Sequence, residues 1–178
     1  MKAQKSNVIL SSLMLLTLIG CETKERYTQN SPEIETVKAA FDNYLSGDWE
    51  TYQTHYAADA KIHSNSTESK PSTIQEIIAQ QKMEIAPLSS YSIDKENQAL
   101  EMVLEDEGET WVNYWGVWSG TLTATNQTFE IPIHITYQFI DGKIVEQHGY
   151  WNNTEITLAT RALQAEEEAK AAAAAIPD

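Results

Sequence analysis

Residues 129–151, FEIPIHITYQFIDGKIVEQHGYW, decide the fold class. Phe129, Ile131, Ile133, Ile135, Tyr137 and Phe139 alternate strictly with Glu130, Pro132, His134, Thr136 and Gln138. Successive side chains of a strand point to opposite faces, so this pattern puts one face on a core and the other outside it. Asp141-Gly142 is the dipeptide of a tight two-residue hairpin turn. Residues 143–151 then return as the last strand. If alternation holds through that strand, Ile144, Glu146, His148, Tyr150 and Asn152 share a face.

Working upstream, residues 110–125 are rich in Trp, Tyr, Val and Thr and read as a long strand. Residues 91–94 and 99–105 read as two shorter ones. Before them the period lengthens. Ser31 and Pro32 supply a cap and a first-turn proline. Ile34, Val37, Phe41, Tyr44 and Leu45 then recur as one face of an amphipathic helix. Gly47 ends it and Asp48 caps a shorter second helix carrying Trp49, Tyr52 and Tyr56 on one side. Residues 61–64 read as a brief strand. Ser72 with Gln75 resembles a capping box, and Ile74, Ile77, Ile78 and Ile85 mark a third helix that stops near Pro87. Helices first and antiparallel strands after them define the α+β class. The tail, residues 155–178, is Ala/Glu-rich with high helix propensity. Ile156, Ala159 and Leu163 can pack one side of it, and no chemistry is assigned to it.

Composition narrows the function. The 178 residues hold 26 Asp+Glu against 12 Lys+Arg, a formal net charge of −14. That balance excludes a nucleic-acid partner, which needs clustered Lys and Arg. One cysteine excludes an intrachain disulfide, a Cys-based zinc finger and an iron–sulfur cluster. That cysteine closes the amino-terminal segment. Lys2 and Lys5 precede an uncharged apolar run over residues 8–19, too short for the ~20 residues that span a bilayer. The run ends in Leu18-Ile19-Gly20-Cys21. This resembles the bacterial lipobox, which implies a signal peptide over residues 1–20, lipid (palmitate-class chains) on Cys21, and a protein anchored to the membrane in the bacterial cell envelope, on the periplasmic side or the cell surface. Cutting there removes two lysines and no acid, taking the net charge from −14 to −16. Residues 21–31 read as a polar tether and residues 32–154 as the folded domain.

Three segments of that domain carry a second resemblance. They are Phe41 through Trp49 followed by Tyr56-Ala57-Ala58-Asp59-Ala60, then Tyr114 through Gly120, then Tyr137 through Glu146 with Tyr150-Trp151-Asn152. Their order and spacing are similar to the SnoaL-like group of the nuclear-transport-factor-2-like superfamily. The resemblance implies a cone-shaped α+β barrel, with three helices packed in a curved antiparallel sheet around an apolar pocket. It covers polyketide cyclases, ketosteroid isomerases and dehydratases, and also members without chemistry.

Fold alone does not give function. The family's enzymes place a carboxylate in the pocket, and SnoaL-like members often end the last strand in Tyr-Trp-Asp. Here that position is Asn152, and an amide takes no proton near neutral pH. The remaining candidates for a general base are His148, Asp59 and His63. Tyr44, Tyr52, Trp115, His134, His148, Tyr150 and Asn152 form the expected ligand-binding set. Four scattered histidines show no metal-ligand spacing, so neither a metal nor another cofactor is expected. The favoured reading is a lipid-anchored protein that binds a small apolar ligand or serves an accessory role. Two alternatives stay open. One is an isomerase, cyclase or dehydratase using a pocket His or Asp. The other is an interaction module acting through the outer sheet face, including a homodimer formed through the sheet.

Overall fold

A computed structural model describes residues 26–175 of the chain. The amino-terminal apolar run, the lipobox and Cys21 lie outside the described residues. After a short strand β1 (Tyr27–Thr28) come α1 (Pro32–Ser46), α2 (Trp49–Thr54), β2 (Tyr56–Ser64) and α3 (Ile74–Ile85). Strands β3 (Leu88–Ile93), β4 (Ala99–Leu104), β5 (Thr110–Leu122), β6 (Thr128–Ile140) and β7 (Lys143–Trp151) follow, and then α4 (Thr154–Ala174). The class is α+β, with a curved, open sheet wrapped around helices.

Local chemistry sets the helix ends. Ser31 accepts from the Ile34 N–H, Pro32 opens α1, and Gly47 closes it at φ 71°, where a side chain would be strained. Asp48 caps α2 by accepting from the Thr51 N–H. The capping box of α3 sits one residue later than the sequence reading puts it. Thr73 and Glu76 make the reciprocal pair, while Ser72 is taken up by a backbone bridge to Ile62.

The sheet runs β1-β4-β5-β6-β7-β2, with β3 also on β5. Long β5 is the spine: its first half pairs with β4 and its second half with β3, both on one edge, while β6 lines the other edge along its whole length. The β6–β7 hairpin closes through Asp141 and Gly142, both at positive φ (50° and 74°), as a two-residue turn demands. The β2–β7 pair is parallel. The core gathers Ile34 and Val37 of α1, Ile74 and Ile77 of α3, Ile62, Val112, Tyr114, Ile135, Tyr137 and Ile144.

Two irregularities redirect side chains. In the hairpin, Gln138 pairs with Glu146 but Phe139 pairs with Ile144, so Val145 is an extra residue. This β-bulge breaks the alternation of β7. Ile144 and Gln147 face the core, whereas Glu146, His148 and Tyr150 face outward opposite Gln138, Thr136 and His134. In β2, Tyr56 aligns with Ile144 and Lys61 with Glu146, so the residues between them bow out of register. β2 is therefore longer than the brief strand read from the sequence, and Tyr56 belongs to it rather than to α2.

The bulge makes a paired prediction. Under strict alternation Ile144 and Tyr150 would share one environment. Ile144 is instead fully buried and Tyr150 is 52% exposed. Ile144→Ala should lose about 2–5 kcal/mol in chemical denaturation, and Tyr150→Ala should stay within about 0.5 kcal/mol of the parent. Equal losses would put both side chains on one face.

Candidate functional site

The inner face of the sheet and the helices enclose a cavity of about 520 Å³. Its floor is Ile131, Ile133, Ile135 and Tyr137 of β6, which follow one another on the inner face of that strand. Phe41 and Tyr44 of α1, Tyr52 of α2, Tyr56 of β2 and Trp118 of β5 form its walls. Trp118 lies flat across Gly120, where an added Cβ would meet the indole at 2.2 Å. Trp151 lies over Gly149 in the same way, at 2.4 Å. The two glycines thus give the sheet the hollow in which these rings rest. The first turns of α4 cross the rim through Ile156, Thr157, Thr160 and Arg161. That helix, to which the sequence reading assigns no chemistry, closes part of the mouth.

Polar groups inside the cavity are few and form two sets. Tyr56 donates to Gln147 Oε1 at 2.7 Å and lies 3.2 Å from the Tyr52 hydroxyl. An amide oxygen can only accept and Tyr56 has one proton, so Tyr52 must donate to Tyr56. In the second set the Trp118 indole N–H donates to the Tyr44 hydroxyl at 3.0 Å. Tyr44 thus accepts with its oxygen and keeps its own proton for another acceptor. Burial pushes the phenols of Tyr44, Tyr52 and Tyr56 above their usual range. Gln81 on α3 offsets part of the rise at Tyr52, yet its own Oε1 is buried without a well-aligned donor. The phenols are therefore neutral donors at physiological pH and do not act as bases. Among the described residues no histidine lines the cavity, and its one carboxylate, Glu84, is exposed at the rim and accepts from Gln80.

Tyr44 and Tyr52 of the expected set line this cavity; the other candidates lie elsewhere. Asp59 sits exposed in the bowed segment of β2. Asn152 is exposed and accepts from the Thr154 N–H beside the start of α4. His134 and Trp115 stack on each other on the outer face with centroids 4.8 Å apart, and Trp115 is 41% exposed. His134 Nδ1 donates to the Tyr114 carbonyl. Tyr150 is on the same outer face. His148 is also there, for a definite reason: the Val145 bulge turns it out and turns Gln147 in. Sequence reasoning missed Gln147, and only the bulge accounts for its place. Trp115 and Trp118 are three positions apart on one strand, which puts them on opposite faces, and Trp118 is the one that faces inward.

The outer face holds a second group of residues. His63 of β2 aligns with His148 of β7, and their rings stack at 4.6 Å and 12°. Glu146 Oε1 lies 3.0 Å from His148 Nε2 and 3.5 Å from His63 Nε2. The donor atoms of all three lie within 4.8 Å of one another. The sequence showed no metal-ligand spacing because the third residue comes from a neighbouring strand.

No protein-family model matches the chain, and no curated protein matches it. Solved structures do. A proposed polyketide cyclase, IdmH, from Streptomyces antibioticus is 20% identical with a TM-score of 0.54, over 70% of this chain and 94% of that one. A proposed hydroxylase, AclR, from Streptomyces galilaeus is 12% identical with a TM-score of 0.55, over 71% and 93%. A Catenulispora acidiphila protein of ketosteroid-isomerase-like fold, solved with trimethylamine, is 15% identical with a TM-score of 0.51, over 67% and 87%. The chain therefore has the SnoaL-like, nuclear-transport-factor-2-like fold. At these identities the likeness extends to the fold and no further.

The buried phenols give a pH prediction. Five of the eight tyrosines (Tyr44, Tyr52, Tyr56, Tyr114 and Tyr137) are raised by burial, Tyr114 to about 12. Above pH ~10 the unfolded chain loses phenolic protons that the folded chain keeps, so stability falls as pH rises further. Phenolate absorbance at 295 nm from these five should rise only together with loss of the fold. If they ionised near pH 10 with the fold intact, the cavity would be wet.

Proposed function

We propose that the chain is a lipid-anchored cell-envelope protein whose cone-shaped domain binds a small, largely apolar molecule carrying a hydrogen-bond acceptor. One observation carries this reading. The cavity is apolar on most of its wall and offers the neutral phenolic donor of Tyr44, with no histidine and no buried carboxylate among its described lining residues. Its volume is in the range of small-molecule sites. A ligand carbonyl or ether oxygen would accept from Tyr44, and its hydrocarbon body would lie against Ile131, Ile133 and Ile135. The lipobox residues Gly20 and Cys21 support the anchor and the envelope location, with acyl chains rather than surface charge holding an acidic domain at the membrane.

The isomerase or cyclase reading keeps the Tyr44 donor to polarise a carbonyl, but proton abstraction needs a base within reach. Glu84 is the one carboxylate in the lining, and it sits exposed at the rim. The outer face supports the interaction reading through exposed Trp115 and Tyr150, which could pair with a second copy of the chain.

Native mass spectrometry of the protein taken from its own envelope tests the proposal. The expected mass corresponds to a chain cut before Cys21 and acylated there, with a further non-covalent adduct on the order of a few hundred daltons. Ile133→Trp, which fills the floor of the cavity, should remove that adduct while the far-UV circular dichroism is unchanged. An adduct that survives Ile133→Trp, or no adduct in the parent, would count against binding in this cavity.

A further inference from the structure

We propose that His63, Glu146 and His148 form a binding site for a divalent first-row transition metal of the zinc class, on the face of the sheet opposite the cavity. The inference is independent of what fills the cavity.

The site is built from two neighbouring strands. Glu146 and His148 are two apart on β7, so they share its outer face, and His63 is delivered in register from parallel β2. The loop after β2 folds back through the Ile62–Ser72 bridge and covers His63, which is only 1% exposed. His63 Nδ1 lies 3.3 Å from the Thr67 carbonyl, which can only accept. That contact puts the ring proton on Nδ1 and leaves the Nε2 lone pair on the side of Glu146, while the His148 ring lies stacked at 12°, so one ring tilts when both lone pairs meet a single ion. His63 Nε2 is buried and has no hydrogen-bond partner.

This arrangement is unfavourable without a cation. A bare imidazole nitrogen faces a carboxylate oxygen at 3.5 Å, two acceptors with nothing between them. Buried polar atoms in folded proteins are nearly always satisfied. A metal ion supplies the missing acceptor of both lone pairs. Tetrahedral bonds of ~2.1 Å place ligand atoms roughly 3.3–3.5 Å apart. The separations from Glu146 Oε1, 3.0 and 3.5 Å, bracket that edge for two of the three pairs, and the third pair lies within 4.8 Å. The Thr67 carbonyl is the kind of outer partner that orients a metal-bound histidine. Two imidazoles and one carboxylate suit a borderline metal rather than calcium or magnesium, which prefer all-oxygen sites. His148 lines a groove bordered by Trp111, Asn113, Thr136 and Tyr150, and Glu146 beside it is partly exposed. The fourth position would therefore open to water in that groove.

The test is metal titration of the untagged full chain in detergent, after chelator treatment, with Cys21→Ser removing the only thiol. Co²⁺ is the probe for geometry and Zn²⁺ for affinity, by competition with a chromophoric chelator. The proposal expects one metal per chain, with visible Co²⁺ bands of a four-coordinate site. His148→Ala and Glu146→Gln should each weaken Zn²⁺ binding by at least about 100-fold, more than loss of an outer partner costs. His134→Ala and His55→Ala should leave it unchanged, and circular dichroism should report an intact fold for all four. No stoichiometric binding, or affinity that survives both His148→Ala and Glu146→Gln, would overturn the proposal and leave a proton between Glu146 and the histidines instead.

Discussion

Val145 has no partner on β6: Gln138 pairs with Glu146 on one side of it and Phe139 with Ile144 on the other. The facing of Glu146, Gln147 and His148 depends on that one extra residue. Without it, His148 and Glu146 would project into the cavity and Gln147 out of it. With it, the cavity receives an amide that accepts from Tyr56, and the outer face receives two ionisable groups that meet His63. A bulge costs a ladder hydrogen bond and sharpens the local twist. Here it sits just beyond the tight Asp141-Gly142 turn, at the edge of the sheet's best-formed hairpin, where the flanking pairs hold the register on both sides.

Two sites on opposite faces of one sheet follow from this. The inner one is mostly apolar and supplied with neutral phenols that burial keeps protonated. Among the described residues its lining holds no histidine, and its one carboxylate, Glu84, lies at the exposed rim. The outer one concentrates the imidazoles and the carboxylate that an enzyme of this fold would be expected to hold inside. The same residue types occur as in an acid–base site, and the bulge moves them to the other face.

The fold was legible where the pattern was local. Strict alternation over residues 129–139, the Asp141-Gly142 turn, the Ser31–Pro32 start and the Gly47 stop each act over a few residues, and each can be read from the sequence. Non-local pairing was not legible. Nothing in the residues of β7 reveals whether Val145 is paired, since Val fits a regular strand as well as a bulged one, and the face of His148, Tyr150 and Gln147 hangs on it. The parallel register of β2 on β7 joins residues more than eighty positions apart, so the meeting of His63 with His148 could not be read from spacing. Asp59 lies exposed for a related reason, the register shift between Tyr56 and Lys61 that no local pattern in the sequence reveals. The covering role of α4 was hidden because its sequence is Ala- and Glu-rich, and only its first turns touch the rim.

The most direct test of this account is a set of side-chain proton contacts measured by nuclear Overhauser spectroscopy. The side-chain amide protons of Gln147 should show contacts to the rings of Tyr56 and Tyr137, and the ring protons of His148 should show contacts to those of His63 and Trp111. Contacts from the His148 ring to Tyr52, Tyr56 or Ile135 would place it in the cavity, and would contradict both the bulge and the division of the sheet into a binding face and a histidine–carboxylate face.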